Sequence, residues 1–560
     1  MATVLGIVSP TSPFMHDNSA SIVRDGKILA SIQEERMSGV KHDTNTPINS
    51  IKECFRLAGL TGKDIDAIVC ATEAFTQRRF TFEVNRFGKV VMSKATSPIS
   101  FALKHFYMRK LKEWFGIRGK IMYMNHHLSH AATAFYTSGY KSAAVVTLDG
   151  LGDHESGSIY AASGMDMKRL WSQPEQKSLG LFYGMVSESL GFTQQDGEGK
   201  TMGFACYGKP HAAEHIAKFY DRNEMEPAVL RDINTTDGKL FAAYRYVRTK
   251  QSVEFKESFK HFKPEDIAAS AQKVLEEKGL EIVKMAMEKT GETNIAVAGG
   301  VFLNCKLNQR IRELPGVESL FIHPAAGDNG VCTGAAIEAC RILDPHNFRP
   351  EKMEHVYYGS GYTNEEIEKN IKDYNLSYER LKDPAGTAAD LIKKGKVVGW
   401  FQGRMEYGPR ALGNRSVLAD PTDPKMRDRI NQFLKKRDWF MPFCPSMLFE
   451  AKDEYLVNPT EAPFMITTFD VPKNKAKEIP AVVHVDNTAR PQTVKKEVNP
   501  LYWRLIKQFE KYKVPMVLNT SFNKHGLPMI RTPQDALNHL VWKCVDVLIM
   551  DDFLIERKFV

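Results

Sequence analysis

Ala143-Ala144-Val145-Val146-Thr147-Leu148-Asp149-Gly150 is the stretch whose reading decides the fold. An apolar, β-branched run ends in a carboxylate and a glycine, the pattern of a buried strand with a polar mouth. A polar loop, Asp149 to Glu155, follows, then a strand at 157–162, a turn near Gly164-Met165 and a strand at 168–172. The chain opens with the same succession. Strand 3–8 leads into a loop, Ser9 to Asn18, that carries His16 and Asp17; strand Ser19 to Val23, the tight turn Asp25-Gly26 and strand Ile28 to Ile32 come next. A strand–loop–strand–turn–strand unit therefore occurs twice, about 140 residues apart.

Between the two units lie a helix at 48–59, a strand at 66–71 and a basic segment at 76–120. That segment reads as a solvated helical face, or more sharply as a cap that receives an acceptor or a phosphate. His126-His127-Leu128-Ser129-His130 then begins an Ala-rich helix that Ser138-Gly139 stops. At i and i+4, His126 and His130 share one face and can hold one metal ion, with Asp149 as a third, harder ligand. His127 stands at i, i+3 to His130 and can also reach, and ordinary polar residues at a helix start are the plain alternative. Two imidazoles with a carboxylate suit Fe(II), Zn or Mn. The zinc-protease helix is excluded, because no Glu follows the first His. A duplicated unit with helices between is how actin-like and sugar-kinase-like two-lobed ATPases are built, a fold-level analogy.

Further along, Asp196 to Gly203 resembles a phosphate-binding loop without the Walker spacing. An amphipathic helix at 264–289 precedes Ile295 to Asn304, a buried strand running into Gly299-Gly300, where backbone can approach a ligand. His323 to Gly330 places Asp328 between a strand end and the small-residue helix 331–341. A Pro-containing connector at 344–353 closes this half. Helices at 364–373 and 386–394 and a strand at 396–401 then lead to Gln402–Ser416, where Arg404, Arg410 and Arg415 alternate with Gly403, Gly408 and Gly413. Arg offers a bidentate fork and Gly exposes backbone amides, so this stretch suits an anion pocket. Lys435, Lys436 and Arg437, the stretch His484 to Gln492, and a buried strand at 514–518 ending in Asn519 to Asn523 add polar clusters. Several such clusters at strand ends favour one pocket for a small phosphorylated compound in an α+β domain with a mixed sheet.

With 560 residues the chain exceeds one core and should hold about two to four lobes. The 43% hydrophobic and 26% charged composition is that of a soluble globular protein. No stretch approaches the ~18 apolar residues of a membrane span. The start lacks a basic region and a small-residue cleavage pattern, so no signal peptide is expected. The eight cysteines are scattered without a Cys-x-x-Cys and read as reduced thiols of a cytoplasmic protein. The net charge of +9 permits an anionic substrate and does not indicate nucleic acid.

Together these pieces resemble the ATP-dependent O-carbamoyltransferase family that includes the nodulation-factor, cephamycin and tobramycin carbamoyltransferases. The matching segments are the His16-Asp17 loop, Glu34-Glu35-Arg36 with Lys41-His42, His126 to His130 and Leu148-Asp149-Gly150. Glu198-Gly199-Lys200, Gly299 to Asn304, Gly327 to Gly330, Gly408 to Ser416 and Asn519 to Asn523 continue the series, so the resemblance spans essentially the whole chain. It implies an α/β fold: residues 1–345 as a two-lobed actin-like domain similar to threonylcarbamoyl transferases, with lobes near 1–140 and 141–345. A connector at 346–355 and a smaller α+β YrdC-like domain at 356–560 would follow. The implied reaction uses carbamoyl phosphate and ATP to make a carbamoyl-adenylate and pyrophosphate. A hydroxyl of a small natural-product acceptor then attacks the carbamoyl carbon, leaving a carbamate ester and AMP.

The resemblance also implies roles. His126, His130, Asp149 and Asp328 would be the metal ligands, with Fe(II) ranked ahead of Zn, Mn or Mg. Lys41, Gly299, Gly300, Val301 and Asn304 would bind the nucleotide. Arg410, Lys435, Arg490, Asn519 and Ser521 would bind carbamoyl phosphate, and His16 would be the base on the acceptor hydroxyl. Many members have Arg where this chain has Met441, so Lys435, Lys436 or Arg437 must serve in its place. A homodimer is compatible with the family; membrane and nucleic-acid partners are not expected. The alternatives are a sugar-kinase-like phosphotransferase, whose acidic-Gly-Thr first-strand signature is replaced by Gly6-Ile7-Val8-Ser9, and a tRNA-modifying threonylcarbamoyl-type enzyme, supported locally by the basic segment 76–120.

Overall fold

The computed structural model describes residues 1–8, 17–73, 80–84, 90–94, 98–193, 197–223, 225 and 251–559. His16 and much of the loop 9–18 lie outside them, as do parts of the basic segment. Two compact units emerge: Met1–Ala30 with Thr44–Lys352, and Ser31–Asp43 with Met353–Val560.

In the first unit the duplicated pattern becomes two five-stranded sheets. One holds β1 (Thr3–Ile7), β2 (Ser19–Arg24), β3 (Lys27–Gln33), β4 (Ala67–Cys70) and β5 (Lys120–Tyr123) in the order β3-β2-β1-β4-β5. The other holds β6 (Ser142–Gly152), β7 (Glu155–Ser163), β8 (Asp166–Pro174), β9 (Asn294–Ala298) and β10 (Ser319–Ile322) in the order β8-β7-β6-β9-β10. In both, the first strand pairs antiparallel with the second and parallel with the fourth. This repeated order is the two-lobed α/β architecture expected from the sequence. β1 is buried throughout and β9 along all but its first residue.

The helix after each fifth strand forms the centre of the unit. These are α1 (His126–Ser138) and α3 (Val331–Leu343); a long helix, α2 (Pro264–Thr290), lies between them in sequence. α1 packs on β6, β7 and β9 of the second sheet, α3 packs on β1, β2 and β4 of the first, and the two helices pack on each other. Every residue of α1 except Leu128 is buried, which explains its Ala, Ser and Thr content. Close approach is built in: a Cβ on Gly334 would stand 1.9 Å from the Ser129 carbonyl oxygen, and one on Gly6 2.0 Å from that of Cys332. α1 begins at Asn125, whose side chain accepts from Leu128 N at 2.9 Å, and ends at Gly139, φ 77°.

The loosely phosphate-loop-like stretch proves helical from Gly197 to Ala205. Tertiary packing against α2 overrides its glycines.

The second unit is built on one eight-stranded mixed sheet. Its strands are β11 (Leu376–Arg380), β12 (Val398–Phe401), β13 (Arg415–Ala419), β14 (Cys444–Leu448), β15 (Gln492–Val494), β16 (Met516–Ser521), β17 (Val547–Met550) and β18 (Phe553–Phe559). They lie in the order β11-β18-β17-β12-β13-β16-β14-β15. β12/β17 and β14/β15 are parallel and the other recorded pairs antiparallel. The segment 31–43 belongs here through Ser31 N to Tyr358 O (3.3 Å) and Arg36 Nη2 to Gly408 O (3.1 Å).

Candidate functional site

In the first unit, β6 runs past the expected end of its strand and carries Asp149 to the mouth of the sheet, while α1 delivers His126 and His130 from its first turn. Asp328 arrives on the short turn before α3. The four side chains are buried, with ligand atoms all within 4.8 Å of one another. Asp149 Oδ2 lies 3.2 Å from His126 Nε2 and 3.0 Å from His130 Nε2, and the two Nε2 atoms are 3.1 Å apart. Asp328 Oδ1 is 3.5 and 3.8 Å from the same two nitrogens.

Two buried carboxylates facing two imidazoles demand positive charge. Burial disfavours the His126 imidazolium, yet Asp328 and Asp149 lift its pKa to about 9. Burial also works against the Asp149 carboxylate, but its bonds with His126 and His130 hold it well below the usual range. The mixed nitrogen–oxygen donor set therefore fits a divalent cation.

His127 is excluded from this set. Its Nδ1 contacts Thr147 Oγ1 at 2.9 Å, and burial, with the neighbouring His126 and His130, pushes its pKa down to about 3.

The expected nucleotide turn is tied to the cluster. Gly299 (φ 110°) leaves no room for a Cβ, which would meet the Leu148 carbonyl oxygen at 2.1 Å, and Gly300 N donates to Asp149 Oδ1 at 3.1 Å. Val301 follows in a short 3-10 turn. Asn304 serves the fold: its Oδ1 accepts from Leu307 N at 3.0 Å, and its carboxamide pairs with Gln272 at 2.9 and 3.0 Å. Asp153, at the β6–β7 turn, accepts from His126 N at 2.7 Å and Glu73 N at 3.1 Å, and so caps α1.

The second unit gathers cations around the start of β14 and the end of β16. Lys435 is 2% exposed, and its Nζ donates to neutral oxygens: Ser521 O (2.5 Å), Ser521 Oγ (2.9 Å), Asn523 O (3.0 Å) and Asn523 Oδ1 (2.7 Å). Burial, then the charges of Arg437 and Lys41, push its pKa well below the ordinary lysine value. Lys41, expected beside the nucleotide, thus stands within electrostatic reach of Lys435. Arg437 is brought down to about 10 by burial, with Cys444 opposing and Arg490 adding to the fall. Arg437 thus stands within electrostatic reach of Arg490, whereas Lys436 is exposed. Asn519 donates to Ala411 O at 3.1 Å, next to Arg410, and to Ser446 Oγ at 2.9 Å.

The three-arginine stretch behaves differently from its sequence reading. Arg415 is fully buried, and its guanidinium donates to the carbonyls of Gln402, Asn414, Ser360 and Gly403 while lying 3.6 Å above the Phe401 ring. Arg404 donates to the carbonyls of Gly359 and Tyr358. Both shape the loop rather than line an anion site, leaving Arg410 as the candidate from that stretch.

Residues 4–337 match the family described as Carbamoyltransferase N-terminus, and residues 389–557 match Carbamoyltransferase C-terminus. The chain belongs to the carbamoyltransferase family. This carbamoyltransferase is 35% identical to nodulation protein NolNO of Sinorhizobium fredii over 97% of its own length and 79% of that protein's. It is 37% identical to nodulation protein NolO of Bradyrhizobium diazoefficiens over 78% of its own length and 79% of that protein's. It is also 31% identical to the uncharacterized protein MJ1058 of Methanocaldococcus jannaschii over the full length of both. Among solved structures, the (R)-2-hydroxyglutaryl-CoA dehydratase component A of Acidaminococcus fermentans covers 61% of this chain and 99% of that one at 14% identity and a TM-score of 0.33. That likeness is too slight to add to the topology above.

As a family member the carbamoyltransferase needs a carbamoyl donor and an acceptor. Asp153 escaped the sequence reading as a residue that supports the candidate site. A Gly-Asp-His turn after the strand that carries Asp149 is a weak local sign of it. Among the described residues no helix is long and apolar enough to cross a membrane.

Proposed function

We propose that this chain is an ATP- and carbamoyl phosphate-dependent O-carbamoyltransferase acting on a hydroxyl of a small natural-product acceptor. The observation that carries the donor reading is Lys435. A buried ammonium faced by neutral oxygens and flanked by Arg437 and Lys41 is stabilised by an anion, and carbamoyl phosphate is a dianion whose phosphate must be neutralised. Arg410, Arg490, Asn519 and Ser521 complete the donor pocket in a unit of YrdC-like type. There ATP converts the donor-derived carbamoyl group to a carbamoyl-adenylate, with loss of pyrophosphate.

Transfer belongs to the first unit. Gly299, Gly300 and Val301 offer backbone to the nucleotide, and His16 is the base that takes the proton of the acceptor hydroxyl. His126, His130, Asp149 and Asp328 would hold a divalent ion, Fe(II) first, then Zn, Mn or Mg. Bound there, it would supply positive charge to the phosphate of the AMP leaving group. Asp149 also fixes Gly300 through its Oδ1, so the ligand cluster and the nucleotide turn are set by one carboxylate.

Arg490→Ala tests the donor assignment. Use of carbamoyl phosphate should fall about tenfold or more, while turnover of supplied carbamoyl-adenylate is retained. Equal losses on both substrates would remove Arg490 from the donor pocket.

A further inference from the structure

The loop that closes on Lys435 hangs on one buried histidine. Asn523 Oδ1 accepts from Lys435 Nζ at 2.7 Å and from Ser521 Oγ at 2.6 Å, while its Nδ2 donates to Leu527 O at 2.6 Å. His525 N donates to Leu434 O, next to Lys435, at 3.3 Å. The loop 521–527 is thus folded around the ammonium, yet its tip, 525–527, is exposed.

Its tie to the core comes from α4 (Pro533–Val541). There His539 is 2% exposed, edge-on to Phe522 with ring centroids 5.5 Å apart and 5.2 Å from the ring of Trp542. Its Nδ1 lies 2.7 Å from the carbonyl oxygen of Asp535, which can only accept, so Nδ1 carries a proton. Its Nε2 accepts from Lys524 N at 2.9 Å, which needs a bare lone pair. Both partners therefore select one neutral tautomer. An imidazolium would turn an N–H onto the Lys524 N–H and unpin the loop.

α4 packs on β12, β17, β18 and the helix Asn364–Asp373. β12 and β17 carry no charged residue, and Glu368 and Lys372 of the helix pair with each other at 2.8 Å. Burial weighs most on the ring and lowers its pKa; Asp535 favours the imidazolium, and Lys435 and Lys524 oppose it.

We infer that His539 is a positioning residue of the donor site: as a neutral imidazole it pins Lys524 N, and so the loop whose Ser521 and Asn523 set the Lys435 ammonium. The inference rests on the donor-pocket reading above. An unpinned loop leaves the imidazole free to take a proton first as pH falls below about 6.5, so donor affinity is full above that value and declines below it.

The test measures carbamoyl phosphate binding to the full chain by titration calorimetry in the cold, from about pH 8 to about pH 5.5, across the imidazole range. His539→Phe keeps a ring against Phe522 and removes the acceptor; at neutral pH its Kd should rise about tenfold. His539→Gln supplies an amide oxygen to Lys524 N that does not titrate, and should recover affinity to within about threefold. As pH falls, Kd of the unaltered chain should rise relative to that of His539→Gln, by up to about tenfold per pH unit. The titration of the phosphate itself is common to both chains and drops out of that ratio. Parallel pH profiles for these two chains, or equal losses in the Phe and Gln variants, would overturn the inference and leave the donor pocket standing. Should His539→Phe not fold, the comparison of the unaltered chain with His539→Gln decides alone. Absence of carbamoyl phosphate binding to the unaltered chain would overturn the pocket itself and the inference with it.

Discussion

Lys435→Met separates stability from donor affinity. In the unliganded chain the ammonium is 2% exposed, and its desolvation costs several kcal/mol. Removing it relieves that cost and strands the carbonyls of Ser521 and Asn523, at about 1 kcal/mol or more each. Ser521 Oγ keeps its 2.6 Å bond to Asn523 Oδ1, so the loop retains one of its ties. The terms nearly offset, and the unliganded melting temperature should move by about 5 °C or less. Donor affinity has no such compensation. Loss of one charged hydrogen bond to phosphate costs about 1.5–3 kcal/mol, roughly a 10- to 150-fold rise in Kd. At a carbamoyl phosphate concentration of about 100 Kd, the unaltered chain gains about 2.7 kcal/mol from ligand, and a hundredfold weaker variant only about 0.4. Thermal unfolding with and without carbamoyl phosphate reads both quantities. A variant that keeps the full donor-induced shift, or that unfolds without donor, would refute Lys435 as a buried cation held for an anion.

The remaining expectations concern the first unit. His130→Ala and His126→Ala should each lose bound divalent metal on dialysis, whereas His127→Ala should keep it and lose only stability, about 2–3 kcal/mol; metal analysis of the three decides whether His126 or His127 pairs with His130. Gly300→Ala would put a Cβ 2.8 Å from Asp149 Oδ1 and should weaken metal retention by displacing that carboxylate, at about 1–3 kcal/mol of stability. Burial pushes the pKa of His323 down to about 3, so its neutral form is favoured in the folded chain. The unfolded state takes up the proton first as pH falls below about 6.5, so up to about 5 kcal/mol of stability is lost between there and about pH 3. His323→Leu should flatten that slope in urea unfolding, and parallel pH profiles would contradict it.

The grouping of His126 and His130 was legible because helical geometry alone puts them on one face, and that of Asp149 because a buried strand must end somewhere polar. Asp328 was reachable only through the family resemblance, since no local spacing links it to α1. β5 went unread: its four residues are half-buried or exposed and lack apolar alternation. Arg404, Arg410 and Arg415 look alike in sequence. That Arg404 and Arg415 spend their guanidinium groups on backbone carbonyls depends on how the loop folds back on residues 358–360 and 402–403. The attachment of 31–43 to the second unit is equally nonlocal, carried by single contacts such as Arg36 to Gly408.

The central claim is that donor activation proceeds through an adenylate. Incubating the full chain with carbamoyl phosphate, ATP, divalent metal and candidate hydroxyl acceptors, and resolving the nucleotide products, tests it most directly. AMP and pyrophosphate formed in step with an acceptor heavier by one carbamoyl group are the predicted result; ADP as the nucleotide product, with or without a phosphorylated acceptor, would contradict it.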